Sequence, residues 1–247
     1  MTESHFISYE RRDVLRMLGT AAVAVSVAPS VFAAAGKVKI GTIGAGHIGQ
    51  TLGGMWLKSG HEVMFSSRHP EELKPTIAPL GAHAHIGTVA EAIAYADVIL
   101  LAIPYLAMPD FCKEYGKSLV AKACVLDATN PREYREKELA IEALKVGAAQ
   151  YTANLLPGVR IVRCYNNLGG TNRIVEGSTR PDGNKVGLPI AGEDKNAIAI
   201  ASELVRETGF EPVLVGGVKM GNYLVPETPL AGVHTAEEIR KIMATLK

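Results

Sequence analysis

The run Gly44-Ala45-Gly46-His47-Ile48-Gly49 is the first place where residue type and spacing specify chemistry. Three glycines in this pattern suit a pyrophosphate. The first permits a tight turn, the second lets phosphate approach the backbone, and the third lets a helix pack closely on a strand. Residues 38–43 read as the buried strand before the loop, and a helix-compatible run to Ser59 follows it. The start of that helix would offer unpaired N–H groups and a positive dipole end to an anion. Gly60 then turns the chain into a second strand, residues 61–65, which ends in Ser66-Ser67-Arg68. A glycine loop alone is a weak sign, but one set between strand and helix, with a polar second-strand end, is a strong one.

That second-strand end selects the dinucleotide. NAD sites usually place a carboxylate there to accept from the ribose 2′-hydroxyl. Here Ser66, Ser67 and Arg68 stand instead, with Lys74 in the next segment. A carboxylate would repel a 2′-phosphate, whereas hydroxyls and a guanidinium match one. The expected cofactor is NADP.

The rest of the chemistry-bearing inventory is sparse. Cys112, Cys124 and Cys164 are too few and too scattered for a disulfide framework or a metal site, and Cys124 and Cys164 sit in apolar, strand-like runs. No His pair has metal-ligand spacing: His83 and His85 alternate on a short strand, and His47 sits in the glycine loop. No metal site is expected, and no catalytic triad or lysine–histidine constellation stands out. The formal charge is +1 with little aromatic content, which gives no argument for nucleic acid.

The first 35 residues read as an address. Arg11-Arg12 lies in a charged stretch, residues 17–32 form an uncharged Ala- and Val-rich run, and Ala33-Ala34-Ala35 offers a cleavage site. This resembles a twin-arginine export signal and implies a periplasmic destination through the twin-arginine machinery. Arg11, Arg12 and Arg16 leave with Glu3, Glu10 and Asp13, so the charge balance is unchanged by cleavage.

The elements that must position these residues alternate. Thr88 and Glu91 form a capping box for a short helix, and residues 97–103 are a continuous apolar strand stopped by Pro104. Residues 123–127 give another strand, ahead of the Asn130-Pro131 turn. Residues 139–156 read as one helix, and residues 160–165 as a strand. A strand at 186–191, a helix at 193–208 ended by Gly209, and a strand at 212–215 follow, with residues 177–183 as a loop. Such alternation predicts an α/β fold: a Rossmann-like doubly wound parallel sheet with a small C-terminal α/β extension. Residues 36–156 would be the NADP-binding domain, residues 157–230 the part completing the sheet and cleft, and residues 231–247 a charged tail.

Taken together, these motifs resemble the NADPH-dependent oxidoreductases that use the deazaflavin coenzyme F420, over about residues 37–225. Besides the glycine loop and Ser67-Arg68, the carriers are Ile103-Pro104, Asn130-Pro131, Ala191-Gly192-Glu193-Asp194, residues 209–213 and residues 223–227. The resemblance implies that Gly44, Gly46, His47, Ile48 and Gly49 cradle pyrophosphate and that Ser67 with Arg68 sets NADP preference; Ala45 of the loop and Ser66 of the strand end join them as candidate cofactor residues. It further implies that Ile103, Pro104 and Asn130 flank the nicotinamide, with a deazaflavin or flavin as the small redox acceptor and a homodimer as one assembly. Hydride transfer between two cofactors needs alignment and exclusion of water more than an acid or base, so no catalytic side chain is assigned. Three rivals stand beside this reading. A hydroxyacid or imine reductase would need a long helical second domain, whereas residues 139–247 return to strands. A non-catalytic NADP-binding sensor shares the same loop, and a ferric or flavin reductase shares the same sheet.

Overall fold

The computed structural model describes residues 36–246, so the twin-arginine segment lies outside the described residues. Eight strands form one sheet in the order β3-β2-β1-β4-β5-β6-β7-β8. They are β1 Lys39–Ile43, β2 Glu62–Ser66, β3 Ala84–Gly87, β4 Val98–Leu101, β5 Cys124–Asp127, β6 Ile161–Arg163, β7 Gly187–Gly192 and β8 Glu211–Gly216. The chain moves outward from β1 to β3, then returns to β4 on the other side of β1. The switch point of the sheet therefore falls between β1 and β4, where ligands of open α/β sheets bind.

The principal helices are α1 His47–Lys58, α2 Val89–Tyr95, α3 Met108–Leu119, α4 Glu138–Val146, α5 Ala148–Leu155, α6 Thr171–Glu176, α7 Lys195–Glu207 and α8 Ala236–Met243. Strand β4 shows why they must cover both faces. Its side chains alternate, with Val98 and Leu100 in one core beside Leu52 and Trp56 of α1 and Leu204 of α7. Ile99 and Leu101 lie in the other, with Ala92 and Ile93 of α2 and Phe111 of α3. A strand buried on both faces has no polar positions to offer, which is why its sequence is unbroken Val-Ile-Leu-Leu.

Three features depart from the sequence reading. The sheet is parallel except at β6 and β7, which run antiparallel, with Val162 opposite Gly192 and Arg163 opposite Ala191. The helix expected over residues 139–156 is two helices, broken at Gly147, whose φ of 97° ends α4. The Asn222 side chain occupies the space beside Gly147, and its Oδ1 accepts from the Ala149 N–H at 3.0 Å, serving the first turn of α5. The charged tail contains α8, which buries Ala236 and Ile239 beside Val213 and Val215 of β8. Thr235 and Glu238 close a capping box at its start. Sequence charge hid an amphipathic helix whose apolar residues recur at helical spacing.

Candidate dinucleotide site

Six parallel strands, β1 to β6, end along the carboxyl edge of the sheet, and the predicted residues lie at the ends of four of them, β1, β2, β4 and β5. Gly44 leaves β1 with a φ of 95°, a conformation side chains rarely adopt, and a Cβ there would lie 2.7 Å from the Ala102 carbonyl oxygen. A Cβ on Gly49 would overlap the Gly44 carbonyl oxygen, so these two glycines are needed by the turn and the helix–strand contact. Gly46 differs, since a Cβ there would meet nothing within 4 Å. Its openness leaves the backbone accessible, as a pyrophosphate requires.

Helix α1 starts immediately after Gly46, without a side-chain cap and without an acidic residue in its first turn. Gly49 is buried, Ile48 is half-buried and His47 is exposed beside them. The N–H groups of that turn and the dipole end therefore meet no acidic side chain of their own first turn, which fits a bound phosphate. Gln50 steadies the loop by donating from Nε2 to the Ala45 carbonyl at 2.7 Å, a role its sequence position did not announce.

The second-strand end lies against this loop. The Ala45 N–H donates to the Ser66 carbonyl at 3.0 Å, so Ser67 and Arg68 emerge beside the glycines. Ser66 itself is fully buried, and its hydroxyl donates to the Thr42 carbonyl at 2.8 Å. That hydroxyl joins β2 to β1 and is spent inside the protein. Ser67 is half-buried, with Oγ accepting from the His69 N–H at 3.1 Å, while Arg68 is exposed. Arg68 and Ser67 are thus the polar groups at the strand end that remain near solvent.

On the other side of β1, the Ala102 N–H donates to the Ile43 carbonyl at 2.9 Å, which sets Ile103 against the glycine turn. Ile103 is half-buried and Pro104 exposed. Asn130 stands farther along the same edge, at the end of a polar network that the sequence reading missed. Arg163 and Asp127 are each 1% exposed and paired at 2.6 Å between Nη1 and Oδ2. Arg163 Nη2 also donates to the Thr129 carbonyl at 2.9 Å and to Asn130 Oδ1 at 3.0 Å. Asn130 Nδ2 donates to the Asn166 carbonyl at 2.8 Å, so both ends of its amide are fixed. The signal for this network was present in the sequence: charges inside apolar strand runs are buried only when paired.

The strongly shifted groups around this network move away from neutrality. Burial raises the phenols of Tyr105 and Tyr165 and the thiol of Cys164. Tyr165 also adopts a left-handed backbone, with φ 65°, and its hydroxyl lies 3.0 Å from Thr208 Oγ1. These are structural phenols and thiols held in their neutral forms.

Comparison with known proteins agrees with this architecture. Residues 39–131 match the family model described as NADP oxidoreductase, coenzyme F420-dependent. The matched stretch runs from β1 through the Asn130-Pro131 turn and includes every predicted cofactor residue. A hypothetical protein of Sinorhizobium meliloti superposes with a TM-score of 0.66 at 21% identity, covering 83% of this chain and 98% of that one. A protein of Arthrobacter sp. FB24, described as an F420-dependent NADP reductase, superposes at 0.61 with 19% identity, covering 76% and 90%. A pyrroline-5-carboxylate reductase of Coxiella burnetii gives 0.51 at 18% identity, with 72% of this chain covering only 59% of that one. These likenesses show the fold, a Rossmann-like α/β sheet with helices on both faces. Strands β7 and β8 extend that sheet where the hydroxyacid and imine reductase rival needs a helical domain.

Proposed function

We propose that this chain is an NADP(H)-dependent oxidoreductase that passes hydride between NADPH and a deazaflavin or flavin-like acceptor. The observation that carries the cofactor is the Ala45–Ser66 hydrogen bond, which sets Ser67 and Arg68 beside a phosphate-ready glycine loop with no carboxylate at the strand end. The family match over residues 39–131 supports the acceptor class. When bound, NADPH supplies the hydride. The chain's part is to hold the diphosphate at α1, to choose the 2′-phosphate with Arg68, and to keep Asn130 fixed through Arg163. The twin-arginine segment supports export to the periplasm, which cell fractionation of the tagged chain checks directly, and a homodimer is the assembly to look for.

Anaerobic stopped-flow mixing with NADPH, and with F420, FMN or a ferric chelate in turn, tests the reading. We expect NADPH absorbance to fall with F420 or FMN. Oxidation with the ferric chelate alone would move the assignment to a ferric reductase. Tight NADPH binding without oxidation by any acceptor would leave a non-catalytic sensor. For the cofactor, Arg68→Ala is expected to weaken NADPH binding about tenfold or more while leaving NADH nearly unchanged, since a charge-assisted contact to phosphate is lost. Equal losses for both would refute the 2′-phosphate role.

A further inference from the structure

Next to the glycine loop lies an open cleft of about 630 Å³, and its walls come from two places. One wall is His47, the first residue of α1. The other is the segment after β6, Leu168 to Arg173, with Glu176. Two features show how that second wall is built. Ile174 is 1% exposed and packs into the core shared with α1, which anchors α6. Gly169 and Gly170 precede it with φ of 75° and 148°, and a Cβ on either would meet nothing within 4 Å, so their backbone shape rather than crowding calls for glycine.

Across from an α1 first turn that carries no acidic residue, this wall carries a cation. Arg173 Nη1 pairs with Glu176 Oε2 at 3.0 Å, and the two side chains are 59% and 60% exposed. An ion pair that open to water is weak and easily exchanged. A diphosphate seated on the glycine loop would bring two negative charges to the cleft, and a guanidinium exchanges a carboxylate for phosphate oxygens with little change of geometry.

We propose that Arg173 binds the diphosphate of the dinucleotide from the wall opposite the glycine loop, giving up Glu176 to do so. The assignment rests on the dinucleotide reading above and adds a second, sequence-distant cation to it. Arg68 and Arg173 then divide the work. Arg68 reads the 2′-phosphate that distinguishes NADPH from NADH, whereas Arg173 contacts the part both share, and Glu176 competes for it.

Titration of the full chain with NADPH and with NADH, followed by Trp fluorescence or calorimetry, separates these roles. Arg173→Ala is expected to raise both dissociation constants by the same factor, about tenfold, as for one partly exposed charge-assisted contact. Glu176→Gln is expected to lower both by a smaller common factor, because it frees Arg173. Arg173→Lys should fall between wild type and Arg173→Ala. If Arg173→Ala binds both dinucleotides as wild type does while Arg68→Ala still loses NADPH, the inference is overturned and the dinucleotide reading stands. A loss confined to NADPH would also overturn it, by placing Arg173 at the 2′-phosphate. A wild-type chain that binds neither dinucleotide would overturn both.

Discussion

Three glycines on one helix separate what the fold needs from what it tolerates. Gly49 lies where a Cβ would overlap the Gly44 carbonyl oxygen, and Gly53 where it would come within 2.5 Å of the Phe65 ring, whereas Gly54 has nothing within 4 Å. The same substitution should therefore have opposite signs. Gly54→Ala is expected to raise stability by about 0.5–1 kcal/mol, because glycine in a helix interior holds excess unfolded-state entropy. Gly49→Ala should lower it by roughly 1–3 kcal/mol through overpacking against backbone, and should abolish dinucleotide binding with it. Urea unfolding and NADPH titration of the two variants check this. The glycine loop was legible because its requirements are local: spacing, a strand before it and a helix after it. Ser66 was not, because nothing local says that its hydroxyl is consumed by Thr42 across the strand pair. Burial of Cys124 and Cys164 was legible from their apolar strand runs; Cys112, on α3, is buried as well. Burial, with Asp127 adding to it, pushes the Cys112 thiol up to about 12, so a thiol reagent at pH 8 should leave it unlabelled until the chain is unfolded.

At the scale of elements, two helix starts are built alike and should fail together in acid. Thr88 with Glu91 caps α2, and Thr235 with Glu238 caps α8, each with reciprocal side-chain and backbone hydrogen bonds. The backbone N–H of Thr88 holds the Glu91 carboxyl below its ordinary value, and that of Thr235 does the same for Glu238, with Arg180 adding to it. A carboxyl whose folded value is depressed contributes stability that is fully present above its unfolded value, near 4.5, and is lost as pH falls through the lower folded value. Melting temperatures should therefore decline below about pH 4.5. The double variant Glu91→Gln, Glu238→Gln should flatten that decline, and an unchanged slope would refute the assignment. The first of these boxes was legible from Thr88 and Glu91 alone. The antiparallel turn into β7 was not, because strand direction depends on the irregular path of residues 164–186, which carries no periodic signal. The break at Gly147 was hidden for a related reason: its partner, Asn222, is seventy-odd positions away.

Over the whole molecule, the question is whether the dinucleotide half and the later strands stand or fall as one. The contacts say one. Trp56 is the chain's single tryptophan, lies fully buried on α1, and donates from Nε1 to the Leu204 carbonyl of α7 at 2.9 Å. Close by, the Val38 N–H donates to His61 Nδ1 at 3.1 Å, which leaves the proton on Nε2 to reach Glu207 at 2.6 Å. Both links run from the glycine-loop unit to the helix between β7 and β8. Arg163 makes a third, since it sits on β6 while fixing Thr129 and Asn130 after β5. Because these bonds are buried or partly buried, opening either half would strand polar groups of the other, and such groups are costly when unpaired. Trp56 fluorescence and far-UV circular dichroism should accordingly report one coincident unfolding transition in urea. Trp56→Phe, followed by circular dichroism alone, should shift that transition by about 1–3 kcal/mol without splitting it, because one hydrogen bond is lost while the apolar contact is largely kept. Two separated transitions in wild type would show that the later strands fold independently, and that the wall carrying Arg173 can part from the glycine loop it faces.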